Sequence, residues 1–143
     1  MNKKTILTIL FTILGTILCC CLLILAITFL PSLISDLRLR PAYQTAETFM
    51  QAIKDGNSQN AFALLAQETA EQVGEPAAIQ AYFGIPDQVD SYKRGISMSS
   101  QAAQKVEVAF SVTYPNQAKG AIWLTLAKEG DEWKILNVRV TEK

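Results

Sequence analysis

The sequence predicts an α+β domain behind a single membrane-spanning helix. Three observations carry this expectation. No charged residue occurs between Lys4 and Asp36. From Pro41 to Phe83 the apolar residues recur at the period of a helix, and after Asp87 they alternate with polar ones at the period of a strand.

The run from Ile6 to Leu30 consists almost wholly of Ile, Leu, Phe, Thr and Cys, and Pro31 follows it. About 20 apolar residues in a helix cross the hydrocarbon core of a bilayer. A buried soluble helix would need one polar side, and this run has none. A cleaved signal peptide has a shorter apolar region, about 7–15 residues, ending in a small-x-small pair that is missing here. The expected organisation is therefore a cytoplasmic tail over 1–5, a transmembrane anchor over 6–34, a short linker over 35–40 and an α+β domain over 41–143. Lys3, Lys4 and the α-amino group flank one end of the span; Arg38 and Arg40, offset by Asp36, flank the other. That balance predicts a cytoplasmic N-terminus and an extracytoplasmic C-terminal domain in the cell membrane.

Two features lie within the span. Cys19, Cys20 and Cys21 are adjacent, so on a helix they point in different directions and read as soft apolar side chains in lipid. Thr8, Thr12, Gly15, Thr16 and Cys19 share one side at about 100° per residue. Small residues at that spacing form a candidate face for packing against another membrane helix.

In the domain, Pro41 suits the first turn of a helix, and Ala46, Phe49, Met50 and Ile53 give it an apolar side. Gly56 ends it, and Asn57 or Ser58 can cap the next helix, which buries Phe62 and Leu65. A further turn runs through Ala70 and Val73 to Gly74. Pro76 opens a third short helix with Ile79, Tyr82 and Phe83, closed by Gly84 and Pro86.

The strands follow. Tyr92 to Met98 reads as the first. In the second, Val106, Val108, Phe110, Val112 and Tyr114 alternate with polar or small residues. A turn from Pro115-Asn116 to Gly120 leads to Ile122, Leu124 and Leu126; Glu129-Gly130-Asp131 leads to Trp133 through Val140. Short connections force antiparallel pairing. The expected result is about three helices packed on a curved antiparallel sheet of about four strands.

Several fragments resemble the cone-shaped nuclear transport factor 2-like (cystatin-like) superfamily over about residues 41–143. They are Asp55-Gly56, Ala61-Phe62-Ala63-Leu64-Leu65-Ala66, the strand entry Asp90-Ser91-Tyr92, and Gly130-Asp131-Glu132-Trp133-Lys134-Ile135. The match is to small bacterial single-pass membrane proteins of that type with no assigned function. A second resemblance, through Lys119-Gly120 and the closing Trp133 strand, is to the cytochrome oxidase assembly factor 1 family. It implies a factor assisting assembly of a respiratory membrane complex.

Composition limits the chemistry. The 13 Lys+Arg balance the 13 Asp+Glu, and no basic cluster forms the footprint of a nucleic-acid binder. With no His, imidazole catalysis and the usual zinc ligand sets are absent. The domain after Asp36 has no Cys, so thiol chemistry is absent there too. No cofactor is expected. Enzymes of the resembled superfamily, such as those of the ketosteroid isomerase-like type, use an acidic base with Tyr inside the cone. That resemblance directs attention to Asp90 with Tyr92, near Tyr82, and to Asn137 as candidates for an internal ligand site. The plainer reading, a turn Asp with half-buried core aromatics, is the favoured one, and Asn137 equally reads as solvent-facing.

The favoured expectation is a membrane-anchored, extracytoplasmic binding or assembly module without catalytic activity. A small-ligand-binding cone and a carboxylate-based enzyme are the alternatives. Expected partners are the lipid bilayer and either a second copy or another membrane protein. Ala109, Trp123, Thr125 and Ala127 on the second sheet face offer the candidate surface.

Overall fold

A computed structural model describes the backbone of residues 2–86, 88–100 and 104–142; within these, the side chains of 3–11, 23, 25–37 and 142 fall outside the description. The chain divides into two compact units, Met1–Arg38 and Leu39–Lys143.

Helix α1 runs over Lys3–Lys54. The predicted linker over 35–40 is helical, and Pro31 and Pro41 both sit within the helix. Pro41 therefore does not open a helix as its sequence position suggested: α1 is already under way, and the proline removes one donor from its ladder at a cost of about 3 kcal/mol. Among the described residues no helix is long and apolar enough to cross a membrane. Most of the side chains of the predicted anchor over 6–34 lie outside those residues. Within the described part, Ile13, Leu14, Ile17 and Leu18 are exposed.

The second unit is α+β. Helix α2 covers Ser58–Ala63, α3 Gln67–Val73 and α4 Ile79–Phe83, the last entered through a 3₁₀ turn at Pro76–Ala78. The sequence read about three helices in the domain, and the extra break falls at Leu64-Leu65-Ala66. Asn57 caps α2, its Oδ1 accepting from the Asn60 N–H at 3.1 Å. Gly84 closes α4 in the left-handed conformation that L side chains resist.

Four strands follow: β1 Ser91–Ser100, β2 Lys105–Thr113, β3 Lys119–Glu129 and β4 Glu132–Glu142. They form one antiparallel meander in the order β1-β2-β3-β4. Asp87, where the period changes, lies outside the described residues. Gly130 at φ +61° begins a two-residue hairpin, where a positive φ matches the twist of the flanking strands. The β2–β3 turn is closed earlier than the sequence pattern placed it, by Tyr114 N–H to Ala118 O at 2.9 Å, and Gly120 belongs to β3.

Alternation assigns the two faces. Val106, Val108, Phe110 and Val112 of β2, Ile122, Leu124 and Leu126 of β3, and Ile135 and Val138 of β4 are buried on the helical side. Between Arg94 and Ser97 the register slips, so that Gly95 and Ile96 both oppose Ala109. Such a bulge bends and twists the strand.

The free edge of β4 is partly covered. Ala66 N–H donates to Ile135 O and Ile135 N–H to Leu64 O, both at 2.8 Å. This pairing is why the chain leaves the helix between α2 and α3.

Candidate functional site

An internal site needs space, and the described residues at the centre of the domain are closely packed. Phe49 and Met50 of α1 and Phe110 of β2 are 0% exposed, as are Ile122, Leu124 and Leu126 of β3. Phe62 and Phe83 pack against this cluster from the outer helices. Each buried aromatic of this kind removes about 150–250 Å² from water, so this packing stabilises the fold.

The candidates for an internal site are not gathered there. Tyr82 is half exposed and donates its hydroxyl to Gln72 Oε1 at 2.9 Å, its ring set edge-on to Phe83. Asp90 is exposed, and its N–H donates to Thr113 O at 2.9 Å. Asn137 is exposed on the outer sheet face, opposite Thr125. Only Tyr92 faces the core, edge-on to Phe110 with ring centroids 5.8 Å apart.

Tyr92 belongs instead to a polar seam between α1 and β1. On the helix, Tyr43, Glu47, Gln51 and Asp55 follow one another at four-residue spacing and so form a stripe along one side. The strand presents Ser97, Arg94 and Tyr92 to it. Tyr43 Oη and Ser97 Oγ lie 3.1 Å apart. Arg94 Nη1 donates to Glu47 Oε1 at 2.9 Å, and the same guanidinium lies 5.1 Å from the centre of the Tyr43 ring. Tyr92 Oη donates to Gln51 Oε1 at 2.9 Å, and Gln51 Nε2 donates to both carboxylate oxygens of Asp55 at 2.9 Å.

A shallow cleft of about 350 Å³ opens along this seam, lined among others by Glu47, Gln51, Asp55, Asn57 and Tyr92. Burial, followed by the charges of Glu47 and Asp55, raises the Tyr92 pKa above its ordinary value. At neutral pH the phenol is therefore a hydrogen-bond donor held further from acting as a base. The sequence marks Asp55 only as a helix end and does not mark Glu47 or Gln51. Their four-residue spacing beside the buried Ala42, Ala46, Phe49 and Met50 was the available signal.

On the outer face, Trp123 of β3 is half-buried beneath Arg139 of β4, whose guanidinium lies 5.2 Å from the ring centre. Ala109 is buried beside it, and Thr125 Oγ1 lies 3.4 Å from Glu107 Oε1. Ile96, 72% exposed, and Met98, 55% exposed, continue the apolar character toward the β1 edge.

The proposed helix-packing face is seen in part. Thr16 Oγ1 donates to Thr12 O at 2.6 Å, nothing lies within 4 Å of where a Gly15 Cβ would stand, and Cys19 is exposed. The side chain of Thr8 lies outside the described residues. Among the described residues, no group of three or more His, Cys, Asp or Glu is placed to hold a metal ion.

No protein-family model matches the chain. No curated protein matches it either. Among solved structures, a DUF4783 family protein from Bacteroides uniformis is similar at 18% identity and a TM-score of 0.49, over 68% of this chain and 95% of that one. A DUF4783 family protein from Bacteroides fragilis is similar at 16% identity and a TM-score of 0.49, over 67% and 96%. A protein from Campylobacter jejuni named as an NTF2-like transpeptidase is similar at 15% identity and a TM-score of 0.47, over 66% and 96%.

Proposed function

We propose that this protein is a membrane-anchored binding or assembly module whose nuclear transport factor 2-like domain faces the extracytoplasmic side and carries out no catalysis. The observation that carries this reading is the packed interior, with Phe49, Met50 and Phe110 at 0% exposure where an enzyme of that shape would hold its substrate. With the inside occupied, recognition falls to the surface, and the outer sheet face around Trp123, Arg139 and Ile96 is available for it. The charge-free run from Ile6 to Leu30 supports the anchor, and Lys3 and Lys4 support a cytoplasmic N-terminus.

Crosslinking in intact membranes tests the assembly role. A reproducible adduct of defined mass, either a second copy or one membrane protein, is expected. Recovery of the monomer alone would remove the assembly reading. Protease added to intact cells, or to spheroplasts where an outer membrane is present, is expected to digest the domain. Digestion only after lysis would reverse the topology.

A further inference from the structure

At the end of the sheet away from the β1 bulge, the outer face hollows into a groove of about 560 Å³. Two registered rows build it. In one, Lys93 of β1 stands opposite Ser111, Ser111 opposite Ala121, and Ala121 opposite Thr141. In the other, Ser91 stands opposite Thr113 and Thr113 opposite Lys119. The centre of the floor is small: Ser111 and Ala121 leave backbone and hydroxyl accessible where longer side chains would fill the hollow.

Among the described residues, the groove carries two positive charges and no negative one. Among the described residues, neither Lys93 nor Lys119 makes an ion pair, although three other ion pairs form in the domain. The two lysines are two strands and two residues apart. With strands about 4.8 Å apart and a rise of about 3.4 Å per residue, their Cα atoms are separated by roughly 12 Å. Both long side chains can therefore reach one group above Ser111. The hydroxyls of Ser91, Ser111 and Thr113 add donors to the two ammonium groups. A site rich in donors, with two positive charges and a small floor, suits a compact dianion whose oxygens point in several directions. The volume exceeds that of a bare phosphate, leaving room for an organic remainder.

We propose that this groove binds a phosphomonoester, with Lys93 and Lys119 clamping the phosphoryl group and the hydroxyls of Ser111 and Thr113 orienting it. The site lies outside the packed interior and does not depend on the membrane anchor, so its failure would leave the reading above standing. The phosphomonoester has two possible sources, a soluble metabolite or a phosphorylated lipid headgroup, and the ligand chemistry is common to both.

Titration calorimetry on the full chain in a nonionic detergent tests the proposal. Glycerol 3-phosphate and dihexanoyl phosphatidic acid serve as the soluble and lipid probes, and glycerol as the uncharged control. Saturable binding of at least one phosphate probe is expected, with none for glycerol. Lys93→Gln and Lys119→Gln are each expected to weaken it about five- to tenfold, and the double variant more than about thirtyfold. Raising NaCl from about 0.05 to about 0.5 M is expected to weaken it severalfold. Lys105→Gln, at the far end of the same face, is expected to leave affinity unchanged. Preference for the lipid probe assigns a headgroup, and equal affinity assigns the soluble ester. Absence of saturable binding of either probe would overturn the proposal. So would equal weakening by Lys105→Gln, which would reveal only a general charge effect.

Discussion

Tyr92 and Gln51 join the sheet to the long helix: the phenol donates to the amide oxygen at 2.9 Å, and the amide nitrogen passes the connection on to Asp55. Tyr92→Phe keeps the ring against Phe110 and removes only this bond, so the expected loss is about 1 kcal/mol at neutral pH. Urea denaturation of the two proteins measures it.

The same residue predicts a pH dependence. Burial and the nearby Glu47 and Asp55 carboxylates raise the Tyr92 pKa in the folded protein. The unfolded chain has the ordinary value of about 10. Between those two values the folded state binds more protons, so stability falls as pH rises. The contribution is complete below about pH 10 and is lost as pH climbs through the folded value. Tyr92→Phe is expected to flatten that alkaline decline, which thermal melts at pH 8 to 11 would detect. A decline of unchanged steepness in the variant would assign it to other groups.

Gly120 is held at a crowded crossing of β3 and β4. A Cβ there would stand 2.8 Å from Thr141 O and 3.1 Å from Tyr114 Oη, and the first of these is backbone that cannot swing aside. Gly120→Ala is expected to cost about 1–3 kcal/mol through overpacking. The shift would appear as a lower denaturation midpoint with an unchanged urea slope.

The ion pair of Arg94 with Glu47 looks prominent at 2.9 Å, yet both side chains are nearly half exposed, at 45% and 48%. A double-mutant cycle with Arg94→Met and Glu47→Gln is expected to give a coupling below about 1 kcal/mol that shrinks further in high salt. A larger, salt-insensitive coupling would mean that the seam contributes to stability as a buried network does.

Much of the fold was legible because its signals are local. The alternation from Val106 to Tyr114, the Asn57 cap and the glycines at 84 and 130 act within a few residues of themselves, and each element stands where they placed it. What was missed depends on distant partners. Ala61 to Ala66 reads as continuous helix, but Leu64 and Ala66 give their backbone bonds to Ile135 and so shield a sheet edge that would otherwise invite pairing. The polar seam needs α1 and β1, more than 40 residues apart, to be laid side by side. Likewise, the outer groove appears only once the register sets Lys93 and Lys119 over the same small floor. The sequence pattern placed Lys119 in a turn before β3 and assigned Lys93 to no face.

If the domain's interior is a packed core and not a ligand chamber, it has no room for even a small apolar atom. Xenon enters empty apolar cavities and reports them through the shifts of neighbouring methyl groups, whereas closely packed interiors exclude it. NMR of the full chain in detergent, with and without xenon pressure, therefore tests the claim. The methyl groups of Ile122, Leu124, Leu126 and Ile135, all fully buried, are the reporters. The account predicts no saturable xenon shift at these methyls in the wild type and a clear one in Ile122→Ala, where truncation opens a cavity at a cost of about 2–5 kcal/mol. Saturable shifts at the same methyls in the wild type would contradict it, because they would reveal an interior open to ligand.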